Sequence, residues 1–124
     1  MITARNAYMG SMVATASPAR LLVMLYDRLT VDLERAVECQ ESGDHLAAGP
    51  LLLHAQEIVL ELQSSLRVDV WAGAAQLSAI YAFLHSELVR SNVARDADAS
   101  RSCLRLVQPL ADAWREAALT EVAG

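Results

Sequence analysis

The sequence predicts an all-α protein, an antiparallel up-and-down four-helix bundle with a short N-terminal arm or helix. Three observations predict it. Leu and Ala dominate the 124 residues, while Pro and Gly number three and five. Apolar residues recur at helical spacing through four segments. No stretch alternates with a period of two, and no Asn-Gly or Asp-Gly turn joins two apolar runs.

Met1 to Met12 is too short and too weakly patterned for a bundle member. With Tyr8, Met9 and Met12 it reads as an arm or short helix lying across the bundle. The first bundle helix spans about Pro18 to Glu41. Ser17 offers a hydroxyl to the orphan amides of its first turn, and Pro18 at the first helical position loses no needed donor. Leu21, Leu22, Leu25 and Leu29 form its stripe, and Val23, Met24, Tyr26 and Val31 add apolar groups on other faces. One stripe is enough for a helix with one core to face. This helix carries more, so part of it is expected to serve a second surface.

Ser42-Gly43 ends the first helix, Gly supplying a left-handed cap. Asp44 caps the second, which runs to about Leu66 with Leu51, Ile58, Leu62 and Leu66 along one face. Pro50 in its opening turns predicts a late start or a local irregularity. The third helix spans about Ala74 to Ser91, with Leu77, Ile80, Leu84 and Leu88. The fourth begins after Asp96 or Asp98 and carries Leu104, Val107, Leu110, Ala111 and Trp114, fraying near Thr120. Pro109 should kink it or divide it into two. Short connections make sequential helices antiparallel neighbours. The chain reads as one domain over residues 1–124, the arm in 1–12 and the bundle in 13–119.

Hydrophobic residues make up 54% of the chain. With Gly counted in place of Tyr, to match the usual set, the share is about 56%, against roughly 45–50% in ordinary soluble domains. No apolar run approaches the ~18 residues of a membrane span. The surplus therefore points to buried helices plus an apolar docking surface, without membrane insertion. Net charge is -5 and all ten cations are Arg, scattered singly among acids, which argues against nucleic acid as a partner. No cationic start leads into an apolar run, so a cytoplasmic location is expected.

Catalytic, metal and cofactor readings find little footing. His54 is followed one turn on by Glu57, which would repel a phosphoryl group, and His54-x-x-Glu57 reverses the order a di-metal bundle uses. His85 and Glu87 lie two residues apart and diverge on a helix. Cys39 and Cys103 are too far apart in sequence to suggest a metal cluster, and Cys39 sits among acids that disfavour a thiolate. The reading is no enzyme, no metal and no cofactor, with both thiols reduced.

One set of residues carries a resemblance. Thr15-Ala16-Ser17-Pro18, Leu21 and Met24-Leu25-Tyr26-Asp27 resemble, at this spacing, the flagellar secretion chaperones of the FliS family. Ala7-Tyr8 is similar to that family's N-terminal Ala-Tyr. Ala55-Gln56-Glu57-Ile58-Val59 with Glu61-Leu62 and Ser65-Leu66 resembles its second helix. Ile80-Tyr81, Phe83-Leu84, Leu88, Asn92 and Asp96 resemble the third helix and its exit, and Ala113-Trp114-Arg115-Glu116 the closing helix. The likeness runs from about Ala7 to Ala117. Arg28 departs from the usual Gly after Tyr-Asp, Arg67 from an acidic or amide residue, and Gly73 beside Trp71 from a Gly pair.

The resemblance implies a cytoplasmic chaperone that binds the disordered C-terminal segment of flagellin, which becomes helical as it wraps the bundle. Such chaperones prevent premature polymerisation and deliver cargo to an export-gate component of the flagellar type III apparatus. Residues expected at the groove are Leu21, Leu25, Tyr26 and Leu29 of the first helix, with Ile58, Leu62 and Tyr81. Tyr8 and its arm are expected to cover part of that groove until cargo arrives. The competing reading is a generic self-associating bundle, whose apolar surplus forms a homodimer when no cargo is present.

Overall fold

The structure, a computed structural model, describes residues 18–66 and 72–123. Ser17, the arm with Tyr8, and the departures at Arg67 and Trp71 lie outside the described residues. Four helices follow one another: α1 (Pro18–Glu41), α2 (His45–Ser64), α3 (Ala74–Ala94) and α4 (Ala97–Ala123). α1 packs on α2 and α4, and α3 packs on α2 and α4. The bundle is thus a ring in chain order, each helix antiparallel to the next.

Local chemistry sets the helix ends. Gly43, at φ 80°, turns the chain out of α1. There the Asp44 amide donates to the Cys39 carbonyl at 2.7 Å and the Gly43 amide to Gln40 at 3.1 Å. Asp44 then caps α2, its carboxylate accepting from the Ala47 amide at 3.1 Å. Asp96 caps α4 in the same way, accepting from the amides of Asp98 and Ala99. α3 runs a turn beyond the expected Ser91 and ends on Arg95, a non-Gly residue at φ 54°. An L side chain in that left-handed conformation costs roughly 1–2 kcal/mol. Replacing it with Gly also adds freedom to the unfolded chain. Arg95→Gly is therefore expected to raise stability by about 0.5–1 kcal/mol, read as a higher urea midpoint at unchanged slope.

Neither internal proline breaks its helix. α2 starts at His45 and runs through Pro50, so the expected late start or irregularity is absent, and α4 is one helix through Pro109. Each ring removes the amide that would have met the carbonyl four residues earlier, at Leu46 and Arg105. All four residues are exposed, so water takes those carbonyls at little cost.

The core is one cluster fed by all four helices. At its centre the hydroxyls of Tyr26 and Tyr81 meet at 2.6 Å, and the Trp114 ring lies 6.5 Å from that of Tyr26. Burial pushes both phenols above their ordinary range. Burial likewise pushes the Cys103 thiol up to about 12, so it stays protonated and inert at neutral pH; Cys39 and Cys103 are both unbridged. A polar node pins one end of the bundle. Gln40 donates to Ser91 Oγ at 3.0 Å, and Ser91 donates to the Asp96 carbonyl at 2.7 Å. The Ser91 and Ser100 hydroxyls lie 2.6 Å apart. Three helix ends are thereby held by groups whose loss would strand buried polar atoms.

Candidate functional site

The expected groove residues fall mostly inside the bundle. Leu25, Tyr26, Leu29, Ile58, Leu62 and Tyr81 are all buried in the core cluster, none more than 6% exposed. They meet one another, as the Tyr26–Tyr81 hydrogen bond illustrates, and are covered by the packing of the four helices. Leu21 is half-buried against the same cluster. Tyr8 lies outside the described residues. The wide apolar arc of α1 is consumed because both flanks of that helix are covered, one by α2 and one by α4.

The apolar surplus emerges elsewhere. α1 and α4 are clearly amphipathic, whereas α2 and α3 are apolar on their inner and outer sides alike. On α2, Leu46, Leu53 and Leu60 are exposed, Leu46 to 90%. They recur every seven residues and so form one stripe. On α3, Ala75, Ala79, Ala82, Ser86, Val89 and Val93 are exposed at alternating steps of four and three, Val93 to 80%.

These two stripes face one trough. A Cβ placed on Gly49 would lie 3.8 Å from the Asn92 side-chain oxygen, which sets Gly49 of α2 against Asn92 of α3. Counting from that pair in the antiparallel sense puts Leu46 level with Arg95, Leu53 with Leu88 and Leu60 with Tyr81, so the exposed α3 residues beside those levels are Val93, Val89 and Ala82. Large side chains from α2 thus form one wall, and small or β-branched ones from α3 a low floor and opposite wall. A helix laid there would approach α3 closely and pack its own large residues between the leucines. The Ser91–Ser100 contact similarly sets Phe83 near Leu106 and Pro109 on the α3–α4 side, and all three are exposed. α3 therefore has unpartnered apolar surface on both shoulders.

The α1–α4 side differs. Two shallow pockets of about 380 and 300 Å³ share Asp27 and Arg115. Arg115 bridges Asp27 of α1 and Asp112 of its own helix, and Arg101 likewise bridges Glu41 and Asp98. These pairs are exposed and contribute little stability. No group of three His, Cys, Asp or Glu side chains fit to hold a metal occurs among the described residues. No helix among them is long and apolar enough to cross a membrane. What the site offers chemically is apolar area with helical periodicity.

Comparison with known proteins agrees with that character. A family profile described as flagellar protein FliS matches residues 1–121. The flagellar secretion chaperone FliS of Bacillus subtilis is 29% identical over 116 residues, covering 94% of this chain and 86% of the relative. That of Salmonella typhimurium is 32% identical over 108 residues, covering 86% and 80%. A crystal structure of a flagellar chaperone from bacteria superposes with a TM-score of 0.76 at 19% identity, covering 95% of this chain and 99% of that one. That likeness shows a shared helical-bundle fold. Matched along nearly its whole length, the chain belongs to the FliS family of flagellar secretion chaperones.

Proposed function

We propose that this chain is a cytoplasmic export chaperone for flagellin, binding its disordered C-terminal segment, preventing premature polymerisation and assisting delivery to a component of the flagellar export gate. The observation that carries the reading is the α2–α3 trough, walled by Leu46, Leu53 and Leu60 and floored by Ala82, Val89 and Val93. A disordered segment orders on a surface only if it buries enough apolar area to offset the entropy it loses. An amphipathic helix with large apolar residues at i, i+3/i+4 and i+7 meets that requirement in a trough of this period. Leu21, half-buried on α1, is the one expected groove residue in the described part that keeps surface for cargo. The six buried residues support the surface from beneath.

The test is capture of flagellin by the purified chain, with and without the flagellin C-terminal tail. Stoichiometric capture of the intact protein and none of the truncated one supports the reading. Equal capture of both defeats it. Sedimentation alone and with the tail peptide separates self-association from cargo binding, since dimers that persist when the peptide binds do not use the trough.

A further inference from the structure

Among the described residues, Asp32 is the one charged side chain held in the core. It sits on α1 against α2 with no solvent exposure. One carboxylate oxygen is hydrogen-bonded to Nδ1 of His54 on α2. The other has no hydrogen-bond donor. Its nearest cation is Arg28 Nε, one turn back on α1 at 3.5 Å. The Arg28 side chain is 54% exposed and that of His54 28%. A carboxylate removed from water is tolerated only when a cation or a proton compensates it. Of the two candidates, the imidazole is closer, better shielded and alone in crossing between helices.

The surroundings supply little else. On α1, Arg35 follows Asp32 by three residues and is exposed. On α2, Glu57 and Glu61 lie one and two turns beyond His54, and each has interactions of its own. α3 covers the other flank of α2; its titratable group on that side is His85, seven residues before Asn92. On the far side of α1, Asp27 and Glu41 are taken by Arg115 and Arg101 of α4.

We infer that Asp32 and His54 form a proton-operated latch between α1 and α2. With the imidazole protonated, the buried carboxylate faces a cation and the two helices are tied. When that proton leaves, a buried anion faces a neutral ring and α2 loosens from α1. Leu53 is the residue next to His54, so the α2 wall of the trough belongs to the element the latch holds. The inference stands whatever the cargo is.

The sign follows from linkage. A proton bound more tightly in the folded chain than in the unfolded one contributes stability that is lost as pH rises. Urea unfolding of the wild-type chain between pH 6 and 8 is expected to show the unfolding constant rising about tenfold. His54→Gln and Asp32→Asn should lose most of that rise. Arg28→Gln should lower stability alike at every pH and keep the rise, because guanidinium does not titrate there. His45→Gln and His85→Gln should also keep it. Should His54→Gln fail to fold, the His54 ring nitrogens of the wild-type chain report directly by NMR. An imidazolium at pH 7.5 supports the latch. A neutral ring at that pH in the folded chain, or a His54→Gln protein with the wild-type pH slope, overturns it.

Discussion

Leu53→Glu is expected to lower affinity for a flagellin tail peptide by at least about tenfold while leaving the melting temperature within a degree or two. Leu53 is 53% exposed, halfway along the α2 wall of the trough. A Leu side chain buried by a partner is worth roughly 1.5–3 kcal/mol, and each ~1.4 kcal/mol is a factor of ten in affinity. The substitution forfeits that gain and also asks the partner to bury a carboxylate. Glu is a good helix former, and exposed positions away from special features usually shift stability by no more than about 0.5 kcal/mol. Val93→Glu on the opposite wall should behave alike. Thr120→Glu on α4, exposed and away from both apolar shoulders, serves as the control. Isothermal titration of the three variants, with thermal melts in parallel, decides the matter. Wild-type affinity in both trough variants would move the binding surface off α2 and α3.

Why the sequence pointed to residues that the structure buries is visible in three consecutive residues. Leu51, Leu52 and Leu53 are half-buried, buried and exposed in turn. Helix caps are local events, and the chemistry of Gly43, Asp44 and Asp96 announces them within a few residues. Helix existence is nearly as local, which is why all four elements follow from pattern. The direction of burial is not local. A helix with one apolar stripe declares its inside, but α2 has leucines at 46, 53 and 60 on one side and at 52 and 62 on the other. Only the position of α3 decides which set is core. Family motifs compound the problem, since Met24-Leu25-Tyr26-Asp27 and Ile80-Tyr81 mark the interior of the bundle where Tyr26 and Tyr81 meet. The seven-residue recurrence of Leu46, Leu53 and Leu60 was a usable signal for a second face. The Asp32–His54 pair had none, because its partners stand 22 residues apart on helices whose mutual rotation no spacing rule specifies.

Leu60 and Leu62 turn that ambiguity into a measurement. They are two residues apart on α2 and so point about 160° apart around the helix. Leu62 is 1% exposed and Leu60 is 48% exposed. Leu62→Ala deletes three carbons from the packed centre, where neighbours relax only partly, and should cost about 2–5 kcal/mol. In a domain of this size each kcal/mol lowers the melting temperature by roughly 2–6 °C, so the shift is large. Leu60→Ala removes the same atoms from the trough wall and should leave the melt almost unmoved, because Ala is also the better helix former. Binding of the flagellin tail should reverse the order. Measured well below its lowered melting point, Leu62→Ala should retain most of its affinity, whereas Leu60→Ala loses contact area with the guest helix. A result in which both variants melt early would mean that Leu60 is covered in solution by another part of this chain or by a second copy. One in which Leu62→Ala alone loses binding at full stability would return the groove to the face that the motifs first suggested.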